Sequence, residues 1–125
     1  MMKGQILEEL CDRVKRKCGI TWNDEDTEQK IRDIVEHAAV SLKNKLGIRD
    51  QEEIFLSPGM TRTLFENYCM YDWNNMLEDF SNNYRDEIIG ERHRYEVENA
   101  KKASEEFSKK YPNISRATVY RNLNK

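Results

Sequence analysis

The sequence has few of the residues on which most enzymatic sites depend. Its 125 residues include three cysteines, two histidines and five glycines. Without a Cys-x-x-Cys pair a structural zinc site is not expected, and Cys11, Cys18 and Cys69 are predicted to be buried free thiols in a reducing compartment. The glycines are scattered at predicted helix ends, so a phosphate-binding loop is missing. These absences argue against metal-dependent and nucleotide-hydrolysing activities.

Long apolar runs are also missing. No segment approaches about 18 consecutive apolar residues, the length that spans a bilayer, and the start of the chain shows no signal-peptide core. We therefore expect a soluble protein with no membrane partner. Hydrophobic residues make up 38% of the chain and charged residues 35%, which is close to the composition of long solvated helices. Such a chain is expected to complete its burial against partners.

Charge is distributed unevenly along the chain. Residues 1–91 contain 12 Lys/Arg and 19 Asp/Glu, whereas residues 92–125 contain nine and four. An acidic body is thus followed by a basic end. This arrangement suits head-to-tail contact between copies, or an end that binds an acidic partner. A solvated basic helix is the alternative.

The spacing of apolar residues predicts an all-α protein, a small bundle of about four helices with an extended C-terminal arm. Residues 1–97 are predicted to form the helical domain and residues 98–125 the basic arm, which ends in a short helix. The predicted helices cover residues 5–18, a stretch from the acidic run at 23–26 to residue 46, then 61–81, 84–97 and 116–123, with 98–110 as a solvated helical arm.

The connections between the first three helices carry recognisable signals. Asn23 or Asp24 is expected to cap the second helix, with Trp22 folded back against it. The loop at residues 48–58 contains the apolar triplet Ile54-Phe55-Leu56. This triplet either plugs the core or makes a short strand-like contact, and Pro58-Gly59 starts the next element.

The third helix is predicted to be the centre of packing, because nearly all the aromatic side chains around it recur at helical spacing. No catalytic residue type occurs among its large side chains. Packing is therefore preferred over chemistry as the interpretation of this segment. The predicted core consists of Ile31, Val35, Leu42, Leu64, Tyr68 and Phe80.

Acid–base catalysis would need two groups in perturbed environments, and the candidates are Glu66, Asp72 and His37. None of them has a distinctive partner in the sequence. The carboxylates of residues 24–28 resemble a metal site only in composition, because the glycine and terminal glutamate of an EF-hand loop are absent. We therefore predict a non-enzymatic protein without catalytic residues, cofactor or metal.

The last residues have their own pattern. The segment from Ile114 to Leu123 resembles the recognition helix of Fur-type repressors and other helix-turn-helix proteins, in which arginines contact phosphate. A small DNA-binding regulator that uses this segment is the alternative function. A short amphipathic docking helix is the preferred interpretation. The residues predicted to bind a partner are Arg116, Val119, Tyr120, Arg121 and Leu123.

A longer pattern extends from residue 5 to about residue 95. A short first helix is followed by Gly-Ile-Thr-Trp-Asn-Asp-Glu-Asp at residues 19–26 and by a helix that ends at Gly47-Ile48. After the loop come the aromatic, Asn and apolar positions Leu64, Tyr68, Tyr71, Asn74, Leu77, Phe80 and Tyr84, and then Glu87-Ile88. This order resembles the small helical head-tail connector, or adaptor, proteins of tailed bacteriophages.

The resemblance implies a structural virion protein that assembles, usually as twelve copies, into a ring under the portal. Such a ring extends the DNA channel and binds the downstream neck or tail proteins. It also implies a location in the phage neck after assembly in the bacterial cytoplasm. Genomic DNA would pass without specific binding, since an acidic channel wall repels it. The arm lies beyond the matched residues.

Overall fold

The computed structural model describes residues 2–49 and 51–111, and the regular structure in these ranges is all helical. The described part of the chain is thus all-α, as the sequence predicts. The described part contains five α-helices: α1 (Gly4–Lys17), α2 (Glu25–Leu46), α3 (Met60–Trp73), α4 (Phe80–Asn83) and α5 (Arg85–Lys110). Two 3₁₀ helices, Glu52–Leu56 and Leu77–Asp79, precede α3 and α4.

Helices α1 and α2 end in the same way. Gly19 and Gly47 follow them in the left-handed conformation, with φ of 72° and 70°. Glycine adopts this conformation without a steric penalty. The next residue, Ile20 or Ile48, donates its amide hydrogen to the carbonyl five positions earlier and is buried. Each helix therefore turns its following chain back towards the core.

The start of α2 is held by a side-chain cap. Asp24 accepts a hydrogen bond of 2.8 Å from the amide of Thr27, so Asp24, of the two predicted candidates, is the cap. Trp22 folds back over the same turn, where its indole Nε1 donates to the hydroxyl of Thr27 at 3.1 Å. About half of the Trp22 side chain remains exposed.

The third helix is shorter than predicted. The sequence predicts a helix that continues to residue 81, but α3 ends at Trp73. Asn75 lies in the left-handed region with φ of 58°, and the amide of Met76 donates to the carbonyl of Tyr71 at 2.8 Å. Asparagine tolerates this conformation better than most residues, so the chain reverses here and continues into α4.

The core lies between α1, α2 and α3. All six residues that the sequence assigns to it are buried. The apolar triplet of the loop is part of a 3₁₀ helix, from which Phe55 stacks on Phe65 with ring centroids 4.5 Å apart. The triplet therefore plugs the core, and the strand-like alternative is wrong. Phe80, which belongs to α4 and not to α3, meets Tyr68 edge-on at 5.1 Å.

Helix α5 runs antiparallel to α3. Tyr84, just before α5, contacts Tyr71 near the end of α3, whereas Tyr95 contacts Thr61 at its beginning. Further on, the side-chain amide of Asn99 donates to the carbonyl of Gly47 at 3.0 Å. The helix passes residues 97 and 98, the predicted domain boundary, without a break. The division into domain and arm stays a prediction.

Residues 98–110 are helical, as expected, but they differ from a fully solvated arm. Ser104 is fully buried, and the hydroxyl of Ser108 is buried as well. No helix in the described ranges is long and apolar enough to cross a membrane.

Candidate functional site

The most connected polar group of the described structure lies between α3 and α5. Thr61, Glu91 and Tyr95 are all buried, and Arg94 closes the cluster from the solvent side. The Thr61 hydroxyl lies 2.6 Å from Glu91 Oε2 and 2.7 Å from the Tyr95 hydroxyl. Arg94 binds the same carboxylate with two nitrogens, Nε at 3.1 Å and Nη2 at 2.9 Å. We call these four residues the polar clamp.

The geometry fixes the direction of each hydrogen bond. A threonine hydroxyl has one hydrogen to donate and two lone pairs that accept. Glu91 can only accept, so Thr61 donates to it, and Tyr95 must donate to Thr61. Arg94 Nη2 also donates to Thr61, at 3.3 Å. The Thr61 hydroxyl therefore uses its full hydrogen-bonding capacity within the clamp.

Electrostatics keep the clamp ionised. Hydrogen bonds from Arg94 hold the pKa of Glu91 below its ordinary value of 4.5, with a further contribution from Thr61. The same hydrogen bonds with Glu91 raise the pKa of Arg94. Arg94 Nη1 also reaches Glu98 at 2.9 Å, and its guanidinium lies 4.4 Å from the centre of the Tyr95 ring. A general base near neutral pH needs a raised carboxyl pKa, so Glu91 is poorly suited to that role.

A groove of about 410 Å³ lies beside the clamp. Its walls come from the loop before α3 and from α5. The lining residues are Ile54, Ser57, Pro58, Gly59, Met60, Thr61, Glu91 and Arg94. The charged atoms at its edge are already engaged with each other. The arrangement joins α3 to α5, and its charged groups, Glu91 and Arg94, are paired with each other.

The acidic stretch at the start of α2 borders an open depression of about 670 Å³. Asp24 uses both carboxylate oxygens on Thr27, one on its amide and one on its hydroxyl. The hydrogen bond from the Thr27 amide is the main cause of the lowered pKa of Asp24. Glu28 forms an ion pair with Lys15 of α1. Asp24 therefore caps the start of α2, and Glu28 joins α2 to α1.

The three candidates for catalysis do not meet. Glu66 pairs with Arg13 at 2.8 Å and with Arg62 at 3.9 Å, which ties α1 to α3. His37 is exposed, and its ring centroid lies 6.0 Å from that of Tyr68. Within the described ranges no hydrogen bond connects Glu66, Asp72 and His37. The structure therefore assembles no acid–base pair from these residues.

The cysteines are free thiols. Cys11 and Cys69 are buried, and Cys18 is partly buried. Burial raises the pKa of Cys11 to about 11 and raises the pKa of Cys69 well above its ordinary value. In the part of the chain that the structure describes, no group of three or more His, Cys, Asp or Glu side chains is arranged to hold a metal ion.

The polar clamp could not be read from the sequence as a unit, because Thr61 and Glu91 are 30 residues apart. One signal was present. Glu91 and Tyr95 continue the apolar face that begins at the partly buried Tyr84 and Ile88, and a carboxylate on such a face needs a partner. The predicted partner-binding residues at 116–123 lie outside the described residues.

Comparisons with models of protein families, with curated proteins and with solved structures returned no match for this chain.

Proposed function

We propose that this protein is a non-enzymatic assembly protein, a head-tail connector that forms a ring under the portal of a tailed bacteriophage. The proposal rests first on the order of sequence features from residue 5 to about residue 95, which resembles that of this family. In this proposal the helical bundle forms the body of the ring and residues 98–125 form an arm. The ring, of about twelve copies, would lie in the phage neck after assembly in the bacterial cytoplasm.

The course of α5 is the structural observation that supports this proposal most directly. Asn99 marks the end of α2, where it binds the Gly47 carbonyl. Lys110, the last residue of α5, lies 11 positions further on, which corresponds to roughly 16 Å of helix. A helix that extends beyond the bundle in this way is suited to contact a neighbouring subunit or the portal.

The polar groups of the body support a structural role for a second reason. The polar clamp, the ion pairs of Glu66 and the capped start of α2 all direct charge towards contacts within the chain. Such groups stabilise helix packing, and because they are paired within the chain they are not available to bind a substrate. The acidic body would also line a channel without holding DNA, because like charges repel.

The experiment that tests this function combines the purified chain with candidate portal rings of tailed phages. Electron microscopy and light scattering measure whether a second ring forms on the portal. The comparison variant ends at Asn99, so that it keeps the contact with Gly47 and loses the projecting end of α5. We expect the full chain to add a ring and the shortened chain to lose that ability while its circular dichroism remains helical.

Absence of any ring, alone or on every portal tested, would contradict the proposal. So would a shortened chain that assembles as well as the full chain, because the projecting part of α5 would then have no role in assembly.

A further inference from the structure

Helix α5 has buried residues on two different sides along its length, and only one of these sides belongs to the bundle. Tyr95 and Asn99 face α3 and the end of α2. Ser104 follows Tyr95 by nine residues, which is about two and a half turns of an α-helix. Ser104 therefore lies on the side of α5 opposite Tyr95, away from the bundle.

Burial on this second side is unexpected. Ser104 has no exposed surface, and the hydroxyl oxygens of Ser104 and Ser108 are buried without a hydrogen-bond partner. Lys102 and Glu106, which continue the side of Tyr95, are exposed. The outer side of α5 is therefore buried at Ser104 and at the Ser108 hydroxyl, whereas the side that faces the bundle earlier in the helix is exposed at Lys102 and Glu106.

The outer side carries a regular stripe. Val97, Ala100, Ser104, Phe107 and Tyr111 follow each other at alternating steps of three and four residues, which is the spacing of helix seams that pack against another segment. We call these five residues the outer stripe. Its large members remain part-exposed, with 41% of Val97 and 37% of Phe107 accessible. Its small members, Ala100 and Ser104, permit close approach of a second segment.

We propose that the outer stripe is the docking site for the chain's own last residues, 112–125. The stripe ends at Tyr111, so this segment starts where the stripe finishes. Pro112 stops a helix and allows the chain to change direction. Ten helical residues span about 15 Å, close to the roughly 16 Å from Tyr111 back to Ala100. Val119 and Leu123 are four apart in sequence and supply apolar side chains at helical spacing.

Charge does not favour this contact, because the segment and the end of α5 are both basic. The segment carries Arg116, Arg121 and Lys125, and α5 offers Glu105 beside the stripe as well as its lysines. The apolar and small side chains of the outer stripe therefore determine the contact, and the exposed charges contribute little to it.

Hydrogen exchange followed by mass spectrometry tests the docking on the full chain in the absence of any partner. The amides of residues 116–123 should exchange at least about tenfold more slowly than in the free peptide of the same sequence. This protection should not change with protein concentration. Ser104→Arg should abolish it, because a long charged side chain then occupies the stripe.

The matched control is Glu105→Arg, which places the same side chain on the exposed neighbouring position. It should leave the protection of residues 116–123 unchanged. Thermal melting by circular dichroism shows whether each variant keeps the folded body. If Ser104→Arg loses its cooperative melt, Ser108→Arg, one turn further from the body, takes its place.

Three results would overturn the docking. Residues 116–123 of the unaltered chain could exchange as fast as the free peptide. Their protection could disappear on dilution, which would assign the outer stripe to a second copy of the chain. Glu105→Arg could remove the protection as fully as Ser104→Arg. The measurement needs no portal, so its outcome is independent of the proposed function.

Discussion

At the scale of single residues, Thr61 is the side chain of α3 that contacts all three other members of the polar clamp. Thr61→Val keeps the shape of the side chain and removes the hydroxyl shared by Glu91, Tyr95 and Arg94. A buried carboxylate then loses one of its donors. We expect the free energy of unfolding to fall by about 1–3 kcal/mol.

Urea denaturation followed by circular dichroism measures this loss. Thr63→Val is the matched control, because Thr63 is exposed two positions later on α3 and its hydroxyl bonds only the Gly59 carbonyl. The control should change stability by less than about 0.5 kcal/mol. Equal losses in the two variants would show that the clamp contributes no more than an ordinary surface hydrogen bond.

Glu91 gives the protein a specific sensitivity to acid. Its pKa is below the ordinary value of 4.5 in the folded chain, so the clamp stabilises the fold above pH 4.5. That contribution is lost as the pH falls from 4.5 through the lower folded pKa, because the unfolded chain takes up the proton first. Glu91→Gln should be less stable at neutral pH and should lose less stability on acidification.

Chemical unfolding of the unaltered chain and of Glu91→Gln across this pH range measures how steeply the free energy of unfolding of each depends on pH. The control is Glu96→Gln, an exposed carboxylate on the same helix paired only with Arg92 on the surface. Parallel slopes for Glu91→Gln and the unaltered chain would show that protonation of Glu91 is not coupled to unfolding.

At the scale of elements, Asn75 determines where α3 ends. Its φ of 58° is unfavourable for most side chains. Asn75→Ala should therefore lower the free energy of unfolding by about 1 kcal/mol, and Asn75→Gly should not lower it. Asn74→Ala is the comparison, because Asn74 has an ordinary φ of −91°. Thermal melting of the three variants measures these changes in stability. Equal losses of stability for Asn74→Ala and Asn75→Ala would contradict the role of Asn75 in ending α3.

The helices also show which parts of the fold can be predicted from the sequence. Helix α2 was predictable because Ile31, Val35 and Leu42 keep one period and Gly47 marks its end. The end of α3 is not predictable in this way. Asn74 and Asn75 are the same residue type, and only the reversal of the chain towards α4 places Asn75 in the left-handed conformation. The polar clamp joins residues 30 positions apart. Local periodicity carries no information on such a pairing.

At the scale of the whole molecule, the acidic body and basic end predict weak contact with DNA. A gel-shift titration with duplex DNA should show only binding that disappears as salt rises to physiological strength. The control is the chain shortened after Tyr111. Tight, sequence-selective binding by the full chain that the shortened chain lacks would contradict the connector proposal and favour the helix-turn-helix regulator.

The buried thiols of Cys11 and Cys69 give this protein an internal reporter. Thiolate is the species that alkylating reagents attack, and burial keeps both groups protonated as well as out of reach. A reagent should therefore label the partly buried Cys18 first and reach Cys69 only when the helices separate. The delay between labelling of Cys18 and labelling of Cys69 then reports how slowly the core opens, and the measurement needs no engineered cysteine.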